Sequence, residues 1–264
     1  MMTLEEVRRY LHAAYIDLRL FATGKRERDL PPLRLRDVGQ GDFRRIGDEL
    51  AALLVRAGRL QPEHLVLDIG CGVGRVAIPL TRILSREGSY DGFDIVKRWI
   101  RWCRRNITPR YPNFRFAHAD IYNSHYNRSG VPAVRFRFPY VDGSFDFAFA
   151  TSVFTHLDVE AMRHYLAEAQ RVLRPGGTLL ATFFLLDDDV KSRLGTDTAL
   201  DFKIDRGAYR LVDEDDPDWA IAIERDLLTD LLPPAGWHEP QIEHGFWRHR
   251  GGMSFQDVVV VARR

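Results

Sequence analysis

Residues 66–74 read Val-Leu-Asp-Ile-Gly-Cys-Gly-Val-Gly, and this stretch decides the fold. The apolar run from Leu65 to Ile69 predicts a buried strand that stops at a glycine turn, and a helical stretch follows from Arg75 to Leu84. Glycines let the backbone approach a ligand closely, while a helix N-terminus offers free N–H groups and the positive end of its dipole. A strand, a glycine turn and a helix in this order predict a nucleotide site.

The glycine spacing indicates which kind of nucleotide. A dinucleotide fingerprint needs Gly-x-Gly-x-x-Gly, because its third glycine lets the helix pack closely on the strand. In this chain the third position is Arg75, and the glycines are instead Gly70, Gly72 and Gly74, preceded by the acid Asp68. This pattern resembles motif I of the class I S-adenosylmethionine-dependent methyltransferases.

Two acids further along the chain strengthen the resemblance. Asp94 ends the second predicted strand, twenty residues after Gly74, where an acid can accept both ribose hydroxyls of a nucleoside. Asp120 follows the third predicted strand. In the family an acid at this place accepts the adenine amino group, and the next residue, here Ile121, packs beside the ring.

The later segments resemble the same family in the same order. Residues 145–157 resemble its fourth strand and substrate-side loop, and residues 171–178 resemble the turn before its fifth strand. The β-branched run Phe255 to Ala262 suits a last strand. The resemblance implies an α/β fold, a Rossmann-like doubly wound sheet of seven mostly parallel strands with an antiparallel last strand.

The resemblance also implies S-adenosyl-L-methionine as the cofactor. The residues expected on the cofactor side are Asp68, Gly70, Cys71, Gly72, Gly74, Asp94, Ile95, Asp120, Ile121 and Thr151.

Methyl transfer from a sulfonium is an in-line displacement, so the protein mainly positions the reacting atoms, and a base helps where the acceptor is a hydroxyl. His156 follows the fourth strand on the substrate-facing loop and is a candidate base, because histidine titrates near neutral pH. Alternatively, Thr155 and His156 only open the next helix. His125 and Tyr126, in the long connection before strand four, are the other catalytic candidates. No metal site is expected.

Two regions flank this core. Residues 1–60 are predicted to form an N-terminal helical cap, with an amphipathic first helix over residues 3–22 whose apolar residues are Leu4, Val7, Leu11, Ala14, Leu18 and Phe21. The first helix either closes over the cofactor or packs on the sheet. Residues 61–264 form the main domain, with inserts near 122–144 and 187–218 that are expected to wall the acceptor site.

Composition narrows the remaining choices. The 264 residues carry a net charge of +1, which argues against general affinity for nucleic acid or for an anionic membrane. Cys71 and Cys103 have no partner at metal-ligand spacing and suggest no disulfide framework. With no signal sequence and no apolar run of bilayer length, a cytoplasmic protein is expected. The oligomeric state stays open.

The acceptor is expected to be a small molecule, with a hydroxyl of a metabolite, sugar or secondary product as the favoured target, by analogy with stand-alone bacterial methyltransferases. Two alternatives remain. A protein that binds the cofactor without transferring a methyl group would keep the same motifs. An NAD-dependent oxidoreductase is disfavoured by Arg75 at the third glycine position.

Overall fold

The computed structural model describes residues 4–25, 27, 29–36, 41–124, 126–249 and 251–264. Within them the α-helices are α1 (Leu4–Ala22), α2 (Phe43–Arg56), α3 (Ala77–Leu80), α4 (Lys97–Asn106), α5 (Val159–Val172), α6 (Asp188–Lys191) and α7 (Arg225–Leu231). The strands are β1 (Leu65–Ile69), β2 (Ser89–Asp94), β3 (Phe114–His118), β4 (Phe145–Ala150), β5 (Leu173–Phe183), β6 (Leu185–Leu186), β7 (Ile204–Asp205), β8 (Tyr209–Leu211), β9 (Ile221–Glu224), β10 (Gln241–Glu243) and β11 (Asp257–Ala262).

Seven strands form the main sheet in the order β3–β2–β1–β4–β5–β11–β10. The neighbours from β3 to β5 are parallel, whereas β11 runs antiparallel to both β5 and β10. The strand order reverses beside β1, and ligands of open α/β sheets bind where such a reversal opens a crevice. The Rossmann-like fold predicted from the sequence is confirmed.

The central strand β4 shows why this sheet is stable. All six of its residues are buried, because a strand in the middle of a parallel sheet has both faces covered. Phe147 and Phe149 pack into the core that includes Leu54 of α2, while Ala148 packs into the core that includes Leu166 of α5. Alternate side chains of β4 therefore hold two helical layers against the sheet.

The helix after the glycine turn is shorter than predicted. Instead of running from Arg75 to Leu84, regular α-helix covers only Ala77–Leu80, with turns on both sides. Pro79 has no backbone N–H and cannot donate the bond that would tie it to the preceding turn. The segment still leads away from the glycine turn, so its N-terminal end faces the predicted nucleotide site.

The insert near residues 187–218 is more structured than an acidic loop. It contributes to a second sheet in the order β6–β9–β8–β7, whose core includes Phe202, Ala222 and Trp247. The acid run at residues 213–218 is the connection between β8 and β9. Strands of two to four residues are too short to show an alternating pattern, which explains why the sequence suggested only a loop.

The insert near residues 122–144 has two different halves. Its first half is a tight loop held by an isolated bridge between Ile121 and Val131. Its second half is anchored: Phe138 is buried, its ring centroid lies 4.9 Å from that of Phe93, and its backbone N–H donates to Glu168 Oε2 over 2.7 Å. The second half is therefore tied to the core, while the first half folds over the end of β3.

The helix α1 does not bury its apolar stripe on the sheet. Leu11, Leu18 and Phe21 are 61%, 66% and 69% exposed. Beside this stripe, the buried carboxylate of Asp17 accepts hydrogen bonds from the backbone N–H groups of Leu33 and Arg34. Among the described helices, none combines the length and apolar content that a bilayer crossing requires.

Candidate functional site

The glycine turn lies at the carboxyl end of β1, where the backbone N–H groups of Gly70 and Cys71 both donate to the carbonyl of Phe93 over 3.0 Å. Gly72 has a φ of +54°, and a Cβ built on it would meet no atom within 4 Å. A Cβ on Gly70 would instead lie 2.5 Å from Val153 Cγ2. The turn thus abuts the loop after β4 at Gly70 and opens into free space at Gly72.

Asp94, at the tip of β2, holds this turn in place. Its Oδ2 accepts the backbone N–H of Gly72 over 2.9 Å, and its Oδ1 accepts that of Val96 over 2.8 Å. The residue is only 7% exposed. Asp94 therefore caps the turn from the tip of β2, the place where the sequence predicts an acceptor for ribose hydroxyls.

Asp68 lies beneath the turn and behaves differently from Asp94. Its Oδ2 accepts a hydrogen bond from the Tyr90 hydroxyl. Burial raises the pKa of Asp68 to about 8, with the nearby charge of Asp94 adding to the rise and the Tyr90 hydrogen bond opposing it. A Cβ on Gly92 would come within 2.9 Å of the Tyr90 hydroxyl. Tyr90 and Gly92 were missed in the sequence because they look like ordinary strand residues.

Other residues predicted on the cofactor side surround the turn. Cys71 is buried, and burial raises the pKa of its thiol well above its ordinary value, so it is a packing residue and not a nucleophile. Ile95 and Thr151 are half-buried, at the tips of β2 and β4.

The predicted adenine side is formed by the end of β3. Asp120 is exposed, and its Oδ1 accepts a hydrogen bond from Asn127 Nδ2 over 2.8 Å. Ile121 is 3% exposed and belongs to the core. A Cβ on Gly130 would lie 2.3 Å from the Ile121 carbonyl carbon, so the loop folds tightly over this strand end. Asp120 and the loop after it therefore form one hydrogen-bonded unit.

His156 lies just behind the tip of β4, in a turn over Phe154–His156. Its Nδ1 is 2.9 Å from the carbonyl oxygen of Asp218, and the Asp218 carboxylate accepts a hydrogen bond from the Ser124 hydroxyl over 2.9 Å. A carbonyl oxygen only accepts, so the neutral imidazole carries its proton on Nδ1 and its lone pair on Nε2. The two inserts thus meet at Asp218, beside His156.

A polar cluster, buried except at Ser152, holds the chain between β4 and His156. Ser152 has a φ of +56° although it is not a glycine, and its backbone N–H donates to Thr182 Oγ1 over 2.8 Å. The hydroxyls of Ser152 and Thr182 both donate to Gln256 Oε1, whose amide nitrogen donates to Thr155 Oγ1. Left-handed backbone at a non-glycine residue is costly and needs such support, so this cluster fixes where His156 lies.

The sequence missed this cluster and the contact at Asp218, because their members are far apart in the chain and belong to no motif. Of the other catalytic candidates, Tyr126 packs its ring 5.6 Å from that of Trp99 on α4, and His125 lies outside the described residues. Among the residues that the structure describes, no three His, Cys, Asp or Glu side chains form a group able to hold a metal ion.

Comparison with known proteins points to one family. Residues 66–177 match the family model described as "Methyltransferase domain". A phthiotriol/phenolphthiotriol dimycocerosates methyltransferase of Mycobacterium ulcerans is 34% identical over 120 residues, which is 44% of this chain and 36% of that protein. The chain thus spans about a third of the length of the mycobacterial relatives that it matches.

Solved structures agree with the fold. An S-adenosylmethionine-dependent methyltransferase of Methanosarcina mazei superposes with a TM-score of 0.52 at 23% identity, covering 80% of this chain and 96% of that one. A 1,6-didemethyltoxoflavin-N1-methyltransferase of Burkholderia thailandensis, bound to 1,6-didemethyltoxoflavin and S-adenosylhomocysteine, gives 0.52 at 19% identity over 100% and 91% of the two chains. The sheet order and the matched residues lead to one conclusion: residues 66–177 are similar to a methyltransferase domain, and the chain shares the fold of solved S-adenosylmethionine-dependent methyltransferases.

Proposed function

We propose that this protein transfers a methyl group from S-adenosylmethionine to a small-molecule acceptor, and that the acceptor atom is a hydroxyl oxygen. The observation that carries the proposal is the open position at Gly72 beside the carboxylate of Asp94. A ligand that lies against the Gly72 backbone would therefore lie beside a carboxylate.

The glycine turn suits the cofactor in both shape and charge. The absence of a side chain at Gly72 leaves the space that a nucleoside needs near the backbone, and Asp94 can accept ribose hydroxyls while it keeps its bond to Gly72. Asp120, exposed at the end of β3, offers an acceptor to an adenine amino group. On this proposal the cofactor lies across the tips of β1, β2 and β3, with Ile95, Ile121 and Thr151 alongside.

The acceptor would enter from the side of β4. When bound, S-adenosylmethionine supplies a methyl carbon on a sulfonium, and transfer forms an oxygen–carbon bond as the carbon–sulfur bond breaks. His156 Nε2 takes the hydroxyl proton, and its hydrogen bond to the Asp218 carbonyl favours the tautomer that leaves this nitrogen unprotonated. Ser124 and Asp218 hold the two inserts together beside the imidazole.

The Burkholderia structure supports a small-molecule acceptor without identifying it. The Burkholderia protein was solved with a small heterocycle bound, and the mycobacterial relatives are named for phthiotriol and phenolphthiotriol dimycocerosates. A hydroxyl is proposed from the placement of His156, since an amine that arrives deprotonated needs no base.

Two measurements test the proposal in sequence. Isothermal titration calorimetry of cofactor-free protein should give micromolar dissociation constants, about −8 kcal/mol, for S-adenosylmethionine and S-adenosylhomocysteine. Absence of heat up to millimolar ligand would overturn the cofactor assignment. Radiolabelled S-adenosylmethionine is then incubated with pools of hydroxyl-bearing and amine-bearing metabolites. Label appearing only on amines would overturn the hydroxyl assignment. Label on neither pool would favour a protein that binds the cofactor without transferring its methyl group.

A further inference from the structure

The apolar residues of α1 follow a spacing that is stricter than simple amphipathicity. Val7, Leu11, Ala14, Leu18 and Phe21 are separated by four, three, four and three residues. A repeat of alternating three and four residues has a mean period of 3.5, which is the pattern of a helix that packs along another helix. These five residues are called the α1 seam below.

The α1 seam has no helix packed on it in the described structure, where its three largest residues are 61–69% exposed. A residue at the edge of the seam fixes α1 to the body of the protein. Asp17 is 6% exposed, and its carboxylate accepts the N–H of Leu33 over 2.7 Å and pairs with the Arg34 guanidinium over 2.9 Å. Turning the seam inward would break these bonds, so the seam is presented outward.

We propose that the α1 seam is a self-association surface, and that two copies of this chain pair through α1 in an antiparallel arrangement. Antiparallel pairing around the middle of the helix places Leu11 opposite Ala14 of the second copy, and Val7 opposite Leu18. Each layer then combines a larger with a smaller side chain, as close packing requires. Parallel pairing would set Ala14 against Ala14 and leave a gap.

The area available is sufficient for a weak specific dimer. A specific interface needs roughly 1,000 Å² of total buried surface. Tyr10, Tyr15 and Phe21 are 41%, 58% and 69% exposed along this side of α1. With aromatic side chains of about 150–250 Å² each, two copies supply on the order of 600 Å² from these residues. The aliphatic members of the α1 seam supply the remainder.

A second copy explains the seam better than a membrane surface does. The helix carries Glu5, Glu6 and Asp17 against Arg8, Arg9 and Arg19, so its charges cancel and give no attraction to anionic lipid. Membrane-surface helices combine a basic polar face with a broad apolar one. The α1 seam is narrow, because it has only two residues in each seven, and it matches the width of one partner helix.

The test is sedimentation equilibrium of the full chain between 1 and 200 µM, comparing Leu18→Glu with the matched variant His12→Glu. Both variants add one negative charge to an exposed position of α1, but His12 lies off the seam. The proposal expects a concentration-dependent dimer in the native chain and in His12→Glu, with the dimer dissociation constant raised at least tenfold in Leu18→Glu. Thermal melts check that both variants stay folded. A monomer at all concentrations, or equal effects of both substitutions, would overturn the proposal.

Cysteine cross-linking tests the orientation, since both native cysteines are buried. Under mild oxidation Leu11→Cys should form a covalent dimer, because Leu11 and its symmetry mate lie near the middle of an antiparallel pair. Phe21→Cys should not, because its mate lies at the far end. Efficient cross-linking of Phe21→Cys would show parallel pairing and overturn the register. If the native chain stays monomeric but floats with vesicles of neutral and anionic phospholipid, the seam binds a membrane surface and the proposal is wrong.

Discussion

Two regions of this molecule meet at one edge of the sheet and are built in opposite ways. The glycine-turn region, Asp68–Gly74 with Asp94, comes from two adjacent parallel strands and their tips, joined by bonds between one carboxylate and the backbone. The β4-tip region, Thr151–His156 with its neighbours Ser124, Asp218 and Gln256, draws side chains from four separated segments. The first region is local in sequence, and the second exists only in the folded chain.

The difference extends to charge. The glycine-turn region buries the two acids Asp68 and Asp94, whereas the buried side chains of the β4-tip region are the hydroxyl of Thr155 and the amide of Gln256. If the glycine-turn region binds the cofactor and the β4-tip region binds the acceptor, substitutions in the two regions should affect different measured quantities. Changes in the glycine turn should alter the cofactor dissociation constant, and changes at the β4 tip should alter turnover.

The largest effect is expected at His156. With the acceptor identified, His156→Ala should lower the turnover rate by about 10²–10⁴ and leave the cofactor dissociation constant unchanged, since a general base acts only on the reaction. In the native enzyme the rate should fall as the solution becomes acidic, because an imidazolium cannot accept a proton. Steady-state kinetics and calorimetry measure the two quantities.

His164→Ala is the matched control for this substitution. His164 also places a ring nitrogen 2.9 Å from a backbone carbonyl, that of Phe136, but it lies on α5. Its loss should leave turnover near the native value. Equal losses in both variants would mean that His156 is structural, and near-native turnover in His156→Ala would move the base to the 122–144 insert.

The next effect is expected at Asp94. Asp94→Asn should weaken cofactor binding by about 2–4 kcal/mol, or about 30- to 1,000-fold, because the amide presents one acceptor oxygen where the carboxylate presented two charged ones. Asp146→Asn is the control, since Asp146 is a buried acid that accepts the Leu65 N–H at the opposite end of the strands. If calorimetry shows an unchanged cofactor affinity in Asp94→Asn, Asp94 only caps the glycine turn and does not bind the cofactor.

A smaller effect is expected at Gly72, where a Cβ would both fill the ligand space and strain the backbone. Gly72→Ala and Gly207→Ala each place a Cβ at a positive φ with no atom within 4 Å. Both should cost about 1–2 kcal/mol of stability for the left-handed conformation. Only Gly72→Ala should also weaken cofactor binding, by about tenfold, because its Cβ enters the space assigned to the ligand. If Gly207→Ala weakened binding equally, strain alone would explain both results.

The smallest change for each measured step concerns Asp68 and pH. The folded chain keeps the Asp68 proton up to a pKa of about 8, while an unfolded chain releases it near pH 4. Between these values unfolding releases a proton, so the contribution of Asp68 to stability is greatest below pH 4 and falls by about 1 kcal/mol per pH unit until pH 8. Asp68→Asn still accepts the Tyr90 hydrogen bond but cannot ionise. Urea denaturation should show a flatter pH profile for this variant, and parallel profiles would contradict the raised pKa.

The sequence predicted most of the fold because parallel strands leave clear marks. The run Leu65–Ile69 is apolar at every position except Asp68, since both faces of β1 are covered from Val66 onward, and β11 contains four consecutive valines for the same reason. The second sheet could not be predicted from the sequence, because strands as short as Ile204–Asp205 are too short to show an alternating pattern of apolar residues. The spacing of the α1 seam was visible as an amphipathic pattern, but its outward orientation was not.

The sequence by itself determined the main parallel strands as elements, the place of the glycine turn and the two acids that flank it, because these depend on residues joined by short spans of chain. Only the tertiary structure decided that Asp68 lies buried under Tyr90, that Ser152 is held in a left-handed conformation by Thr182, and that His156 meets Asp218. These arrangements depend on segments that are distant in the chain, and their hydrogen bonds form only when packing has removed water from between them.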